Sequence, residues 1–181
     1  IVLPTAPAPA ANYVPFVVTG NLVFVSGQLP FENGELPPPG LVGSGDSAAD
    51  AVKAARLCAL NLIAQLKAAV GDLDHVARVV KLNGFVASGP SFTEQPKVVN
   101  GASDLMVEVF GDLGKHARAA VGVAALTLGV AVEVGRSTLT STVDCRAATS
   151  KRISWTKMTS MKGVTVISCV ASRSPSSLLA S

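Results

Sequence analysis

At 181 residues, 49% apolar and 15% charged, the chain is long enough for one domain whose core needs neither disulfides nor metals. Its three cysteines, Cys58, Cys145 and Cys169, lack CxxC spacing and cannot all pair internally, which argues against a disulfide framework and favours a reducing, cytoplasmic setting. The net charge of +3 conceals a division: residues 1–134 hold 8 Lys and Arg against 11 Asp and Glu, whereas residues 135–181 hold 7 against Asp144 alone.

The chain opens on Ile1-Val2-Leu3-Pro4, without an initiator Met or a basic segment. A signal peptide is therefore not expected, and the chain reads as a processed or truncated product. Pro4, Pro7 and Pro9 among small residues predict an extended arm. Tyr13–Val18 and Leu22–Ser26, rich in Val and Phe and joined by Thr19-Gly20-Asn21, predict a β-hairpin. A Gly/Pro-rich loop follows, stiffened by Pro37-Pro38-Pro39. Ser47, with Asp50 three residues on, is placed to start a helix that Gly71 ends. Between them Ala48, Val52, Ala55, Ala59, Leu62, Leu66 and Ala69 form one apolar stripe at helical spacing. His75–Ala87 predicts a third strand and Lys97–Phe110 a second helix, with Pro96 in the loop before it. Ala117–Ala125 and Leu128–Val134 predict two closing strands.

The order β-β-α-β-α-β-β predicts an α+β two-layer sandwich, a mixed sheet with both helices on one face. The other face is expected to bury against further subunits, so that a site would lie at their boundaries. The domain is expected to span residues 1–134. Residues 135–181 differ in kind, being basic and with 18 Ser and Thr among 47 residues. A poorly ordered extension or an altered reading frame accounts for them better than an RNA-contacting tail. No apolar run reaches the ~18 residues of a membrane span.

Most catalytic patterns are missing. His75 and His116 lie far apart and outside any GxSxG or HxxEH pattern, so no zinc or Ser-His-Asp site is expected. Gly43-Ser44-Gly45 precedes a helix, but no strand leads into it and no GxGxxG completes it. Eight aromatic residues (6 Phe, 1 Trp and 1 Tyr) leave few platforms for stacking RNA bases. Cys58, mid-helix beside the stripe, reads as a buried, inert thiol. What remains is a charged pair expected on neighbouring strands, Arg118 and Glu133. A guanidinium grips a carboxylate in a two-pronged fork, and a carboxyl in a partly apolar site can shuttle protons to water. The same pair also reads as an ordinary cross-strand ion pair.

The strings themselves are more specific. ANYVP followed by GNLVFVSGQLP, then AARLCALNLIAQLKAAVGDLD, VVKLNGFVAS, VVNGASDLMVEVFG and HARAAVGVAALTLGVAVEV occur in order over residues 3–134. This series resembles the YjgF/RidA family, also labelled endoribonuclease L-PSP and translation initiation inhibitor, in its branch with ANYVP and SGQLP. The resemblance implies a chorismate-mutase-like fold and a homotrimer with three clefts between subunits. It also implies cofactor-free hydrolysis of reactive enamines and imines to 2-oxo acids and ammonia, as in 2-iminobutanoate/2-iminopropanoate deaminases. By position, Arg118 would hold the carboxylate of a small imine, enamine or 2-oxo acid, and Glu133 would position or activate water. Tyr13, Ser26, Gly27, Asn100 and Ala120 would line the cleft, Ala120 through its backbone N–H. Neither nucleic acid nor membrane is expected as a partner. The alternatives are a non-catalytic metabolite-binding trimer and an endoribonuclease or translation inhibitor. Two departures stand out: Thr127 replaces a usual Pro, and Gly135-Arg136-Ser137-Thr138 replaces the family's ending, as a frame change would produce.

Overall fold

The computed structural model of the chain describes residues 1–9, 11–45, 47–141, 154–155 and 169–170. Two compact units divide it, Ile1–Val143 and Asp144–Ser181. In the second, the described residues form a short antiparallel pair, Ser154–Trp155 with Cys169–Val170. Residues 142–153, 156–168 and 171–181 of the basic segment lie outside the described residues.

The first unit runs β1 (Phe16–Thr19), β2 (Leu22–Val25), α1 (Ala48–Val70), β3 (Val76–Ala87), α2 (Gln95–Phe110), β4 (Ala117–Val123) and β5 (Val132–Ser141). Its sheet has the order β1-β2-β5-β3-β4, and only β3 and β4 are parallel. That pairing requires a crossover, which α2 supplies. The α+β architecture with a mixed sheet and two helices is the expected one.

Local chemistry sets the helix ends. The Ser47 hydroxyl accepts from the Asp50 N–H at 3.1 Å and donates to the Asp50 carboxylate at 2.7 Å. Gly71, at φ 79°, closes α1 by donating to the Lys67 carbonyl at 2.8 Å. α2 begins earlier than the sequence suggests, because Pro96 belongs to its first turn, where a missing N–H costs nothing. His75 closes a 3-10 turn before β3. The segment expected as a strand from Leu128 is first a 3-10 turn over Thr127–Gly129, with Leu128 at φ 57° and Gly129 at φ 72°. The strand begins only at Val132 and continues past Gly135 to Ser141, pairing with both β2 and β3.

Between the layers, Ala55, Ala59, Leu62 and Leu66 of α1 meet Val98, Val99, Ala102 and Leu105 of α2 and Val23, Val25, Leu82, Val86, Val132 and Val134 of the sheet. The two helices approach closely because Gly101 has no side chain. A Cβ there would lie 2.2 Å from the Val52 carbonyl oxygen. Two buried amides are satisfied by the chain around α1. Asn61 donates to the Leu29 and Phe31 carbonyls, and Gln65 to that of Pro7, which pins the N-terminal arm. Among the described residues the opposite sheet face has no such cover: Val17, Phe24 and Val121 are 51%, 42% and 45% exposed.

Candidate functional site

The side chains of Val132 and Val134 enter the core, so Glu133 between them faces the open side of the sheet. After β2 the chain leaves the ladder and rejoins it at Gln28, whose N–H donates to the Val134 carbonyl at 2.8 Å. Gly27 is thereby laid against Glu133, and a Cβ on it would meet the carboxylate oxygen at 2.0 Å. Ser26 donates its N–H to the Pro15 carbonyl at 2.9 Å and its hydroxyl to the Val14 carbonyl at 2.8 Å. Those two bonds draw the segment carrying Tyr13 alongside. Tyr13, Val17, Phe24, Ser26, Gly27 and Glu133 thus border one open hollow of about 790 Å³. Burial raises the Glu133 carboxyl above the ordinary carboxylate range, so it keeps its proton to higher pH than an exposed acid.

Arg118 occupies a second place. It lies opposite Leu82 in the β3–β4 ladder, and Leu82 points into the core, so Arg118 leaves the sheet on the helix side. Its Nη1 donates to Asn100 Oδ1 at 2.8 Å and to Ser103 Oγ at 3.1 Å, both on α2. Nη1 has two hydrogens, and both are used. Nε and Nη2 have no partner among the described residues, and together they form the side-on edge that matches a carboxylate. Two residues along, Ala120 is half-buried against the core, so what it can offer a ligand is backbone. β4 is an edge strand with one row of peptide groups outside the ladder.

The expected residues therefore fall into two groups, Tyr13, Ser26, Gly27 and Glu133 in one and Asn100, Arg118 and Ala120 in the other. Arg118 and Glu133 do not lie on neighbouring strands and do not pair. The α2 crossover places β3 between β4 and β5, and the two side chains leave opposite faces. This removes the ordinary ion-pair reading. Lys81 and Asn83, at alternate positions of β3, also border the hollow and were missed. So were Ser103 and His116, whose Nε2 lies 3.1 Å from Ser103 Oγ. Their signal was spacing: Asn100 and Ser103 share a helix face, and His116 stands two residues before Arg118, just ahead of β4.

Other groups stand apart. Cys58 is fully buried and its thiol is pushed far up by desolvation, so it stays protonated and inert. His75 Nδ1 lies 3.1 Å from the Val70 carbonyl. Among the described residues no three His, Cys, Asp or Glu gather as metal ligands, and no helix is long and apolar enough to cross a membrane.

The family profile described as "YjgF/chorismate_mutase-like, putative endoribonuclease" matches residues 1–134. The chain belongs to the YjgF/RidA family. It is 55% identical over 135 residues to Protein TCP17 of Trypanosoma cruzi, covering 74% of this chain and 84% of that protein. Protein HMF1 of Saccharomyces cerevisiae is 33% identical over 134 residues, covering 74% and 88%. Among solved structures, the protein Atu1372 of Agrobacterium tumefaciens, of unknown function, is 52% identical with a TM-score of 0.73, covering 78% of this chain and 86% of its own. Membership in this family accounts for the sheet order and the two helices together.

Proposed function

We propose that the chain hydrolyses small imines and enamines that bear a carboxylate, giving 2-oxo acids and ammonia, at clefts shared between copies in a homotrimer. The observation that carries this reading is the division of the charged machinery. One chain presents an acid in a hollow on the open face and, elsewhere, an arginine with a free carboxylate-binding edge on an edge strand. Each half lacks what the other has, and a second copy laid on the open apolar face can supply it.

The chemistry asks little of such a site. An imine conjugated to a carboxylate is already electrophilic, so orientation and modest proton transfer suffice. Arg118 binds the carboxylate through Nε and Nη2. Ionised Glu133 takes a proton from water as the water oxygen bonds to the imine carbon and the C=N electron pair moves to nitrogen; the carboxyl then gives that proton to the nitrogen and is ionised again. Glu133 next takes the hydroxyl proton of the resulting carbinolamine and passes it to the departing nitrogen as the C–N bond breaks, which forms the 2-oxo group and releases ammonia. The raised pKa of Glu133 makes it a better base once ionised.

The test supplies 2-iminobutanoate from a dehydratase and follows its capture by semicarbazide. The intact protein is expected to accelerate imine loss, while Arg118→Ala and Glu133→Gln each abolish the acceleration. Mixing the two variants under conditions that exchange subunits should restore roughly a quarter of the wild-type rate, the share of sites that random pairing leaves intact. A mixture that stays inactive overturns the shared cleft. Binding of 2-oxobutanoate without any turnover overturns the enzymatic reading and leaves a metabolite-binding protein.

A further inference from the structure

On the reading of Arg118 as the carboxylate holder, we propose that Ser103 and His116 are positioning residues for it, forming a one-way hydrogen-bond relay that aims the guanidinium. With a neutral imidazole, the donors and acceptors set the direction of every link. His116 Nδ1 lies 2.6 Å from the Gly114 carbonyl, which can only accept, so Nδ1 carries the hydrogen. In the neutral ring Nε2 is then an acceptor, and it takes the hydroxyl hydrogen of Ser103 across 3.1 Å. With its hydrogen committed, Ser103 Oγ turns its lone pairs toward Arg118 and accepts from Nη1 at 3.1 Å.

The far end of the relay is anchored as firmly as the near one. Gly114 ends the 3-10 turn Gly111–Gly114 and is buried. A Cβ at Gly114 would stand 2.1 Å from the Met106 carbonyl oxygen, so this turn packs directly on the α2 backbone. α2 also supplies Asn100 and Ser103, one turn apart, so both acceptors for Nη1 and the turn that orients His116 are fixed to the same helix. A guanidinium held by Asn100 alone can swing about that single bond. Held by two acceptors on one nitrogen, it keeps its plane and presents the Nε–Nη2 edge in one direction. The relay acts through Arg118 and touches no substrate.

The experiment measures steady-state imine hydrolysis, and the affinity for 2-oxobutanoate by calorimetry, in the full chain. Ser103→Ala favours helix and keeps the fold, which thermal unfolding verifies. It is expected to raise KM and the 2-oxobutanoate Kd together by about three- to ten-fold while kcat stays within about two-fold, because binding of the carboxylate is what the aim controls. Ser103→Thr, which retains the hydroxyl, should return both to near wild type. His116→Phe should match Ser103→Ala, and the double variant should be no worse than either alone, as for two links of one chain. Unchanged KM and Kd in Ser103→Ala, with Arg118→Ala still inactive, overturn the relay and spare the assignment of Arg118. Full activity in Arg118→Ala overturns that assignment itself.

Discussion

The two faces of the sheet use small residues for different ends. On the helix side Gly101 lets backbone meet backbone, since the atom a side chain would strike is the Val52 carbonyl oxygen of α1. On the open side Gly27 lets backbone meet a functional group, since the atom it would strike is the end of the Glu133 side chain. A helix carbonyl cannot move without disturbing its helix, whereas a carboxylate can rotate aside. Equal losses of space should therefore harm stability on one face and chemistry on the other.

The larger effect is expected at Gly101. Gly101→Val forces α1 and α2 apart across the core and should cost about 3 kcal/mol or more, as overpacking at its severe end does, read as a fall in the urea midpoint. A midpoint near wild type would mean that the helices can separate without loss. Gly27→Ala should leave that midpoint nearly unchanged yet lower kcat about ten-fold or more, because the displaced carboxyl no longer faces the hollow in its native pose. A large stability loss with normal kcat would reverse the comparison.

Ser47→Ala extends the contrast to a position remote from both halves of the site. Losing the hydroxyl that accepts from Asp50 N–H should cost about 1 kcal/mol in denaturant unfolding, with kcat and KM unaltered.

The elements on both faces were legible in the sequence because their signals are local. Ser47, Asp50 and Gly71 mark the ends of α1 within one turn of chain, and alternating Val residues mark β2. Their arrangement in space was not legible. Nothing local tells that β4 pairs parallel with β3 while β5 inserts between β3 and β2, so Arg118 and Glu133 were read as neighbours. The individual site residues carried their own marks, an arginine in an apolar strand and an acid between valines. What each touches depends on α2 crossing over the sheet, which brings Asn100 within hydrogen-bond reach of Arg118. Leu128 shows the opposite limit: a β-rich string became a turn because two consecutive residues there have positive φ.

The smallest effect concerns Glu133 and has an unusual sign. Burial disfavours its charged form, so its pKa is higher folded than unfolded. Between those two values the folded chain binds more protons than the unfolded one, and stability falls as pH rises through that window. Below the unfolded pKa the carboxyl is neutral in both states and this loss is absent. Above the folded pKa the loss is complete. Glu133→Gln stays neutral throughout and fits the same space, so it should melt slightly higher than wild type above the window and converge with it below. Thermal melts of the two proteins at matched ionic strength, from acid to neutral pH, make the comparison. A variant that melts lower at neutral pH would mean that the ionised carboxylate stabilises the fold, and that the hollow is built to hold its charge rather than to resist it.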